Sequence, residues 1–394
     1  MKVLVLFLDA FSDKYLKPEI SPFIWRLHQR YFFARIKPLF AYEGIGYTIK
    51  TGVSIKTSGV WTDHLLVRGR RNNTRLKALK YALKVVDRIS PTDYVNKALR
   101  YVLFKIFRER YGTPHLIPPD MVEYFVAIDS KPKHKDIFTI LRENGKKGVW
   151  IEPRLNILEK YYLYQLPKLI SKYHLVILKL NSLDRLGHFY GPYSQVLKNR
   201  IKTLDRLVEK TYEKIRQRYR DVVIIIMSDH GMCPVKRVID LERLLKQLPI
   251  EVIRDYFVYI GSTLVQFWFN NDKARRYIIN MLESIEDGKI LDENDLKELG
   301  LAGIDREKYG EVIFALKEGH VFYPDFYYRR KPPRGMHGYA FYQYDSPILI
   351  IADDRCCSKL QEKYIEFVNI APTLLKMFDI PVPEYFEGNP LCLL

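Results

Sequence analysis

Short apolar runs alternate with amphipathic stretches along much of the chain. Four runs rich in Val, Ile and Leu have the length of buried strands: 3–8, 175–180, 222–227 and 347–351. Between the second and third runs, apolar residues recur at three- and four-residue steps, which indicates a long amphipathic helix: Leu197, Ile201, Leu204, Val208 and Ile215. Strands that alternate with helices favour a mostly parallel sheet covered on both faces. The pattern predicts an α/β fold of three layers, α/β/α.

Two segments depart from this alternation. Residues 62–130 have helical apolar patterns in two stripes: Leu76, Leu79, Leu83 and Val86, then Val95, Leu99, Val102 and Ile106. Residues 235–335 mix helical and strand patterns and are rich in Tyr and Phe. We interpret both segments as inserts that cap the carboxyl edge of the sheet in a single domain spanning 1–394.

Composition narrows the class of protein. With 394 residues, 47% of them hydrophobic, the chain can bury a large core. Its first residues, MKVLVLFLDAF, are too short to cross a bilayer and include Asp9, so we interpret them as a first strand rather than a signal peptide. Its four cysteines match neither a disulfide framework nor a zinc ribbon. A cytoplasmic location is the expectation, with a peripheral membrane location as an extension of it.

The net charge of +18 is concentrated in the first insert. Residues 68–110 contain 13 Lys and Arg against three acidic residues, a local net charge of +10. Such a segment favours an anionic partner: a phosphorylated substrate, a membrane surface or nucleic acid. Nucleic acid ranks lowest because no recognised nucleic-acid motif is present. A solvated basic helix face is the alternative interpretation.

Acidic and imidazole side chains follow the predicted strands in four segments. They are Asp9, Asp184, His188, Asp229, His230 and His337. Open α/β sheets keep their active sites at the carboxyl ends of the strands, so these side chains are expected to converge. Six carboxylate and imidazole ligands suit two zinc ions that share a phosphoryl group. Considered on its own, each Asp is explained equally well as a helix cap or a turn residue as it is as a metal ligand.

The motifs resemble those of the alkaline phosphatase superfamily, particularly its type I phosphodiesterase/nucleotide pyrophosphatase branch. They are Asp184-x-x-x-His188 before Tyr190-Gly191-Pro192, Ser228 to Met232, Gly335 to Tyr339, and a carboxyl-terminal signature from Ile370 to Leu391. The resemblance implies an alkaline-phosphatase-like fold and metal-dependent hydrolysis of phosphoesters or phosphodiesters. It implies that Asp184, His188 and His337 hold one zinc and that Asp9, Asp229 and His230 hold the other. A phosphorylated small molecule or a lipid-linked phosphate is the implied ligand.

One position departs from the family pattern. Family members carry a Thr or Ser nucleophile about ten residues before a Thr-Gly pair, and counting back from Thr51-Gly52 lands on Tyr42. The Tyr42 phenol is one candidate nucleophile, and Glu43 is a candidate metal ligand or general base. A shift in register would bring in Thr48 or Thr51. Three other functions stay open: the protein could be a family member that binds a phospho-ligand without catalysis, a family member that binds a membrane surface without catalysis, or a phospho-group transferase.

Overall fold

The computed structural model describes residues 1–40, 44–69, 74–107, 116–128, 133–153, 156–340, 346–355 and 364–391. Tyr42 and Glu43 lie outside the described residues. The chain divides into two compact units. The first unit comprises Met1–Ser58, Lys131–Pro234 and Tyr342–Leu394, and the second comprises Gly59–Ser130 and Val235–Phe341.

The described residues form the following elements. The helices are α1 Pro22–Arg30, α2 Ile45–Thr51, α3 Ile55–Ser58, α4 Thr74–Ile89, α5 Asp93–Ile106, α6 Ile137–Glu143, α7 Asn156–Lys172, α8 Ser182–Tyr190, α9 Gln195–Arg218, α10 Leu241–Lys246, α11 Asp272–Glu283, α12 Glu293–Glu298, α13 Arg306–Tyr309 and α14 Ile370–Met377. The strands are β1 Lys2–Leu8, β2 Phe32–Ile36, β3 His64–Leu66, β4 Phe125–Ala127, β5 Gly148–Ile151, β6 Leu175–Leu180, β7 Val222–Met227, β8 Cys233–Pro234, β9 Arg237–Ile239, β10 Tyr256–Ile260, β11 Leu264–Phe269, β12 Gly288–Ile290, β13 Val312–Leu316, β14 His320–Phe322, β15 Gly335–Met336, β16 Ile348–Ala352 and β17 Tyr364–Ile365.

The first unit is built on a seven-stranded sheet in the order β17-β2-β16-β7-β1-β6-β5. The strands β5, β6, β1 and β7 pair in parallel, whereas β16 runs antiparallel to both of its neighbours. In this register Val3 of β1 lies between Leu175 of β6 and Val223 of β7. The mostly parallel sheet confirms the predicted fold class.

Helices cover both faces of this sheet because its strands are apolar on both sides. On one face, alternate residues of β1, beginning with Leu4 and Leu6, pack against α1, α7 and α9. On the other face, Val3, Val5 and Phe7 pack against α2, α6 and α14. The start of α1 is fixed by Asp205 of α9, whose carboxylate accepts the backbone N–H groups of Phe23 at 3.0 Å and Ile24 at 2.9 Å.

The second unit has its own core around an antiparallel sheet in the order β10-β11-β13-β12. The first predicted stripe of α4 is buried there: Leu76, Leu79, Leu83 and Val86. The second predicted stripe is exposed, with exposed fractions of 37% at Val95 and 66% at Ile106. The helix α5 instead buries Arg100, which donates to Asp87 of α4 and to the carbonyl oxygen of Ile117. Along the described ranges, none of the helices combines the length and apolar character needed to cross a membrane.

Candidate metal centre

Three neighbouring strands of the first unit deliver the predicted ligands to one edge of the sheet. Asp9 follows the last residue of β1, and Asp229 and His230 follow β7 after one intervening serine. The short helix α8 begins two residues after β6 ends and carries Asp184. Because β6, β1 and β7 are parallel neighbours, their carboxyl ends meet. Ligand atoms of Asp9, Asp184 and His230 all lie within 4.8 Å of one another.

Asp184 and His188 share one face of α8 because they lie one helical turn apart. The distance from His188 Nε2 to Asp184 Oδ1 is 3.2 Å. Between them lies Gly187, whose missing side chain brings α8 against Met232: a Cβ there would be 2.3 Å from Met232 Sδ. The helix that carries one ligand pair therefore rests on the segment that carries the other.

A lysine lies between the two strand-end carboxylates. Lys179 of β6 places its Nζ 3.0 Å from Asp9 Oδ2 and 2.9 Å from Asp229 Oδ2. The other oxygen of Asp229 accepts the backbone N–H groups of Ala10 and His230, each at 3.1 Å. Both oxygens of Asp229 are therefore engaged by donors.

The surroundings move the pKa values of these groups in different directions. Burial, together with the negative charge of Asp229, raises the pKa of Asp9 well above its ordinary value. Burial acts in the same direction on Asp229, but the charges of His230 and Lys179 outweigh it and lower that pKa to about 2. Burial lowers the pKa of Lys179, but the two carboxylates outweigh it and the net shift is upward. The ammonium and the Asp229 carboxylate are therefore both charged near neutral pH.

The donor atoms fit a divalent cation. Asp9 Oδ1 is buried and accepts no hydrogen bond from any residue that the structure describes. His230 Nδ1 lies 2.9 Å from the carbonyl oxygen of Gly231, which in the neutral ring places the proton on Nδ1 and the lone pair on Nε2. His230 Nε2 is in turn 3.4 Å from Asp9 Oδ1. A carboxylate oxygen and an imidazole nitrogen directed toward each other are a donor pair that zinc accepts.

The remaining predicted site residues have different outcomes. His337 is buried in the second unit, next to β15, and its grouping with Asp184 and His188 stays a prediction from the motif. Tyr42 and Glu43 stay predictions as well. The hydroxyl of Thr51 is engaged within α2, since it donates to the carbonyl oxygen of Tyr47 at 2.9 Å.

Lys179 is the residue that sequence reasoning missed. It stands in an otherwise apolar run, Leu175 to Leu180, whose pattern predicts only a buried strand. Lysine is rarely buried unless it is paired, so a lysine near the end of an interior strand was the available signal.

The three-layer fold, with Asp and His side chains at the carboxyl edge of its sheet, defines an alkaline phosphatase superfamily protein. The family model for type I phosphodiesterase/nucleotide pyrophosphatase matches residues 3–340. The chain therefore belongs to the type I phosphodiesterase/nucleotide pyrophosphatase family.

Solved structures share this fold across nearly the whole chain. Murine ectonucleotide pyrophosphatase/phosphodiesterase 5, as an inactive variant in complex with AMP, is 14% identical with a TM-score of 0.70 over 97% of this chain and 96% of that one. The human protein of the same name is 15% identical with a TM-score of 0.69 over 99% and 97%.

Two curated relatives match over short segments. GPI ethanolamine phosphate transferase 2 of Candida glabrata is 31% identical over 62 residues, and GPI ethanolamine phosphate transferase 1 of Neurospora crassa is 42% identical over 57 residues. These segments are 16% and 14% of this chain, and 7% and 6% of the relatives' own lengths.

Proposed function

We propose that the protein hydrolyses phosphoesters or phosphodiesters at a site that holds two divalent cations, with zinc as the metal. The observation that carries the proposal is the convergence of Asp9, Asp184 and His230, with ligand atoms within 4.8 Å of one another. A buried carboxylate oxygen that has no hydrogen-bond donor among the described residues, as at Asp9 Oδ1, can be satisfied by a cation. Membership of a phosphodiesterase family supports the same chemistry.

The family motif divides the ligands into two sets. Asp184, His188 and His337 form one set, and Asp9, Asp229 and His230 form the other. Bound cations would stabilise the charge on the attacking and leaving oxygens of a phosphoryl group. The chain's own contribution is orientation: the carbonyl oxygen of Gly231 fixes the tautomer of His230, and two backbone N–H groups fix Asp229.

The nucleophile is proposed to come from the segment around Tyr42. If the phenol attacks phosphorus, Tyr42→Phe abolishes both turnover and a covalent phospho-enzyme trapped by acid quench. If Glu43 instead acts as general base for water, Glu43→Gln slows turnover and no phospho-enzyme accumulates in the wild-type protein. The two variants together separate a covalent mechanism from a direct one.

Hydrolysis is tested with a chromogenic aryl phosphodiester in the presence of added zinc. We expect turnover in the wild-type protein and its loss in His230→Ala, because that variant removes a ligand. His134→Ala is the matched control, since His134 is exposed and stacks on Tyr385. Bound metal without turnover of any mono- or diester contradicts the hydrolase proposal and favours a phospho-ligand-binding protein.

A second candidate is transfer of a phospho-group to an alcohol. The local matches to two GPI ethanolamine phosphate transferases favour it, and they point to a lipid-linked phosphate as ligand. Product analysis with a mixture of water and a simple alcohol separates the two candidates. A transferase places most of the phosphoryl group on the alcohol at low alcohol concentration, whereas a hydrolase does not.

We also propose an anionic membrane surface as a partner of α4 and α5. Both helices expose apolar side chains, among them Tyr81, Ile89 and Ile106, and their exposed basic residues include Lys77 and Arg88. Apolar and basic positions exposed on the same helix suit the interface of an anionic bilayer. Flotation with phosphatidylserine vesicles tests the partner, and we expect binding that weakens with salt. Equal binding to neutral vesicles contradicts it.

A further inference from the structure

Lys179 occupies a position where a divalent cation is also expected. Its Nζ is within 3.0 Å of one oxygen of Asp9 and within 2.9 Å of one oxygen of Asp229. These carboxylates are two of the three ligands assigned to the second cation. The lysine side chain is 18% exposed, and its Nζ lies 5.0 Å from the centre of the Phe7 ring.

The strand register holds the ammonium in this position. In the pairing of β1 with β6, Lys179 is directly opposite Phe7, two residues before Asp9. Side chains alternate between the faces of a strand, so Phe7 and Lys179 project from the same face of the sheet. The ammonium lies over the aromatic ring and contacts the carboxylates at the carboxyl ends of β1 and β7. This contact is therefore set by the fold of the sheet rather than by a loop.

The contacts of the two Asp229 oxygens show where the ammonium and a cation would compete. Oδ1 accepts two backbone N–H groups, and Oδ2 contacts the ammonium. A cation that binds Asp229 Oδ2 would therefore lie beside the ammonium, and the two positive charges repel each other. The lysine side chain can move away, whereas the backbone donors to Oδ1 are fixed by the chain. Asp9 is different, since its Oδ1 is turned toward His230 and its Oδ2 toward Lys179.

We infer that Lys179 competes with the divalent cation assigned to Asp9, Asp229 and His230, and thereby makes this the weaker of two unequal cation sites. The inference rests on the proposed two-cation function. Loading of the second site is opposed by the ammonium at Asp229 Oδ2, whereas Asp9 Oδ1 already faces His230. Lys179 is a positioning residue in this scheme: it holds the ligand carboxylates in place until the second cation arrives.

The test is calorimetric titration of the chelator-treated full chain with Mn²⁺ or Zn²⁺. The wild-type protein is expected to bind two cations with dissociation constants that differ by about tenfold or more. Lys179→Met keeps the length of the side chain and removes its charge, so the weaker site is expected to tighten by about tenfold because the repulsion between two positive charges is lost. Lys179→Arg retains the charge, so its two cation sites are expected to keep unequal affinities.

Lys146→Met is the matched control. Lys146 is a partly buried lysine in the same unit that lies over the ring of Phe378 at 5.8 Å. It is expected to titrate like the wild-type protein. Electron paramagnetic resonance of bound Mn²⁺ gives an independent count, because two ions in adjacent sites couple their spins.

The outcomes separate this inference from the proposed function. Two cations bound by Lys179→Met with affinities unchanged or weaker than wild type overturn the inference and leave the two-cation site standing. No cation bound by any of these proteins overturns both. If Lys179→Met does not fold, as judged by circular dichroism, Lys179→Gln replaces it in the same titration with the same expected tightening.

Discussion

Glycine at position 187 is predicted to be required for the native position of α8, because α8 packs against Met232 there. A Cβ at Gly187 would lie 2.3 Å from Met232 Sδ and 2.9 Å from Met232 Cε. Real Cβ atoms do not approach other atoms so closely, so Gly187→Ala forces Met232 to move. Met232 is 2% exposed, so its thioether end must repack within the core. We therefore expect Gly187→Ala to displace α8, and His188 with it, from the segment that carries His230.

The size of the effect follows from three contributions. Overpacking a close-packed site costs about 1–3 kcal/mol. Ala is about 1 kcal/mol better than Gly inside a helix, so the net loss for Gly187→Ala is about 0–2 kcal/mol. Met232→Ala alone is expected to lose about 2–5 kcal/mol, because it truncates a buried side chain. The double variant lacks the collision, so it should be more stable than the sum of the single changes predicts, by about 1–3 kcal/mol.

Urea unfolding of the wild-type protein, both single variants and the double variant measures this coupling. Cation affinity, measured by titration on the same four proteins, should fall in Gly187→Ala and recover in the double variant. Gly46→Ala is the matched control, because among the described residues no atom outside the neighbouring residues and helix backbone lies within 4 Å of a Cβ at that helical glycine. Additivity of the two single changes within about 0.5 kcal/mol would refute the proposed contact.

Three further predictions concern charge and metal. Burial raises the pKa of Asp325, which is 0% exposed, from 3.8 to about 6. The folded state then holds a proton that the unfolded state releases, so stability falls by about 3 kcal/mol as pH rises from about 4 to about 6. Asp325→Asn should remove this slope in urea unfolding, and an unchanged slope contradicts the assignment. Asp205→Ala removes the acceptor at the start of α1 and should cost about 1–2 kcal/mol in thermal unfolding; an unchanged melting temperature is the contrary result. Chelation should lower the melting temperature and zinc should restore it, since a cation at 100 times its dissociation constant stabilises the folded state by about 2.7 kcal/mol. His230→Ala should recover less, and full recovery in that variant contradicts its role as a ligand.

The central sheet was predictable because its strands are buried on both faces. The runs 175–180 and 222–227 coincide with β6 and β7, and the run 3–8 lies within β1. A continuous apolar run can be recognised as a buried strand without knowing which strands lie beside it. The helix pattern at Gln195–Arg218 was equally clear, because its apolar stripe from Leu197 to Ile215 continues over about five turns.

The orientation of α5 was not predictable from periodicity. The apolar stripe through Val95 and Leu99 is exposed, and Asn96, Arg100 and Phe104 face the core instead. Periodicity identifies which residues share a face, but it does not decide which face packs. In α5 the face that contains Arg100 packs against the core, because the guanidinium donates to Asp87 and to a backbone carbonyl in the interior.

The strand-end ligands were predictable for a topological reason, and Lys179 was not. Carboxyl ends of adjacent parallel strands meet whatever the exact register, so Asp9, Asp229 and His230 converge once the sheet is parallel. The position of Lys179 depends on more: which strand is next to β1, and which residue is opposite Phe7. Both are properties of the assembled sheet that local sequence does not encode.

Neutralisation of charge links these observations to the folding of the first unit. Asp9 and Asp229 are buried side by side, and two adjacent carboxylates destabilise a fold unless a positive charge accompanies them. Lys179 supplies that charge from within the chain, so the sheet edge is stable before any cation binds. Cation binding then adds stability to a fold that already exists, rather than creating it. For this reason chelation is expected to lower the melting temperature without unfolding the protein at room temperature, whereas Lys179→Met should make folding depend much more strongly on added metal.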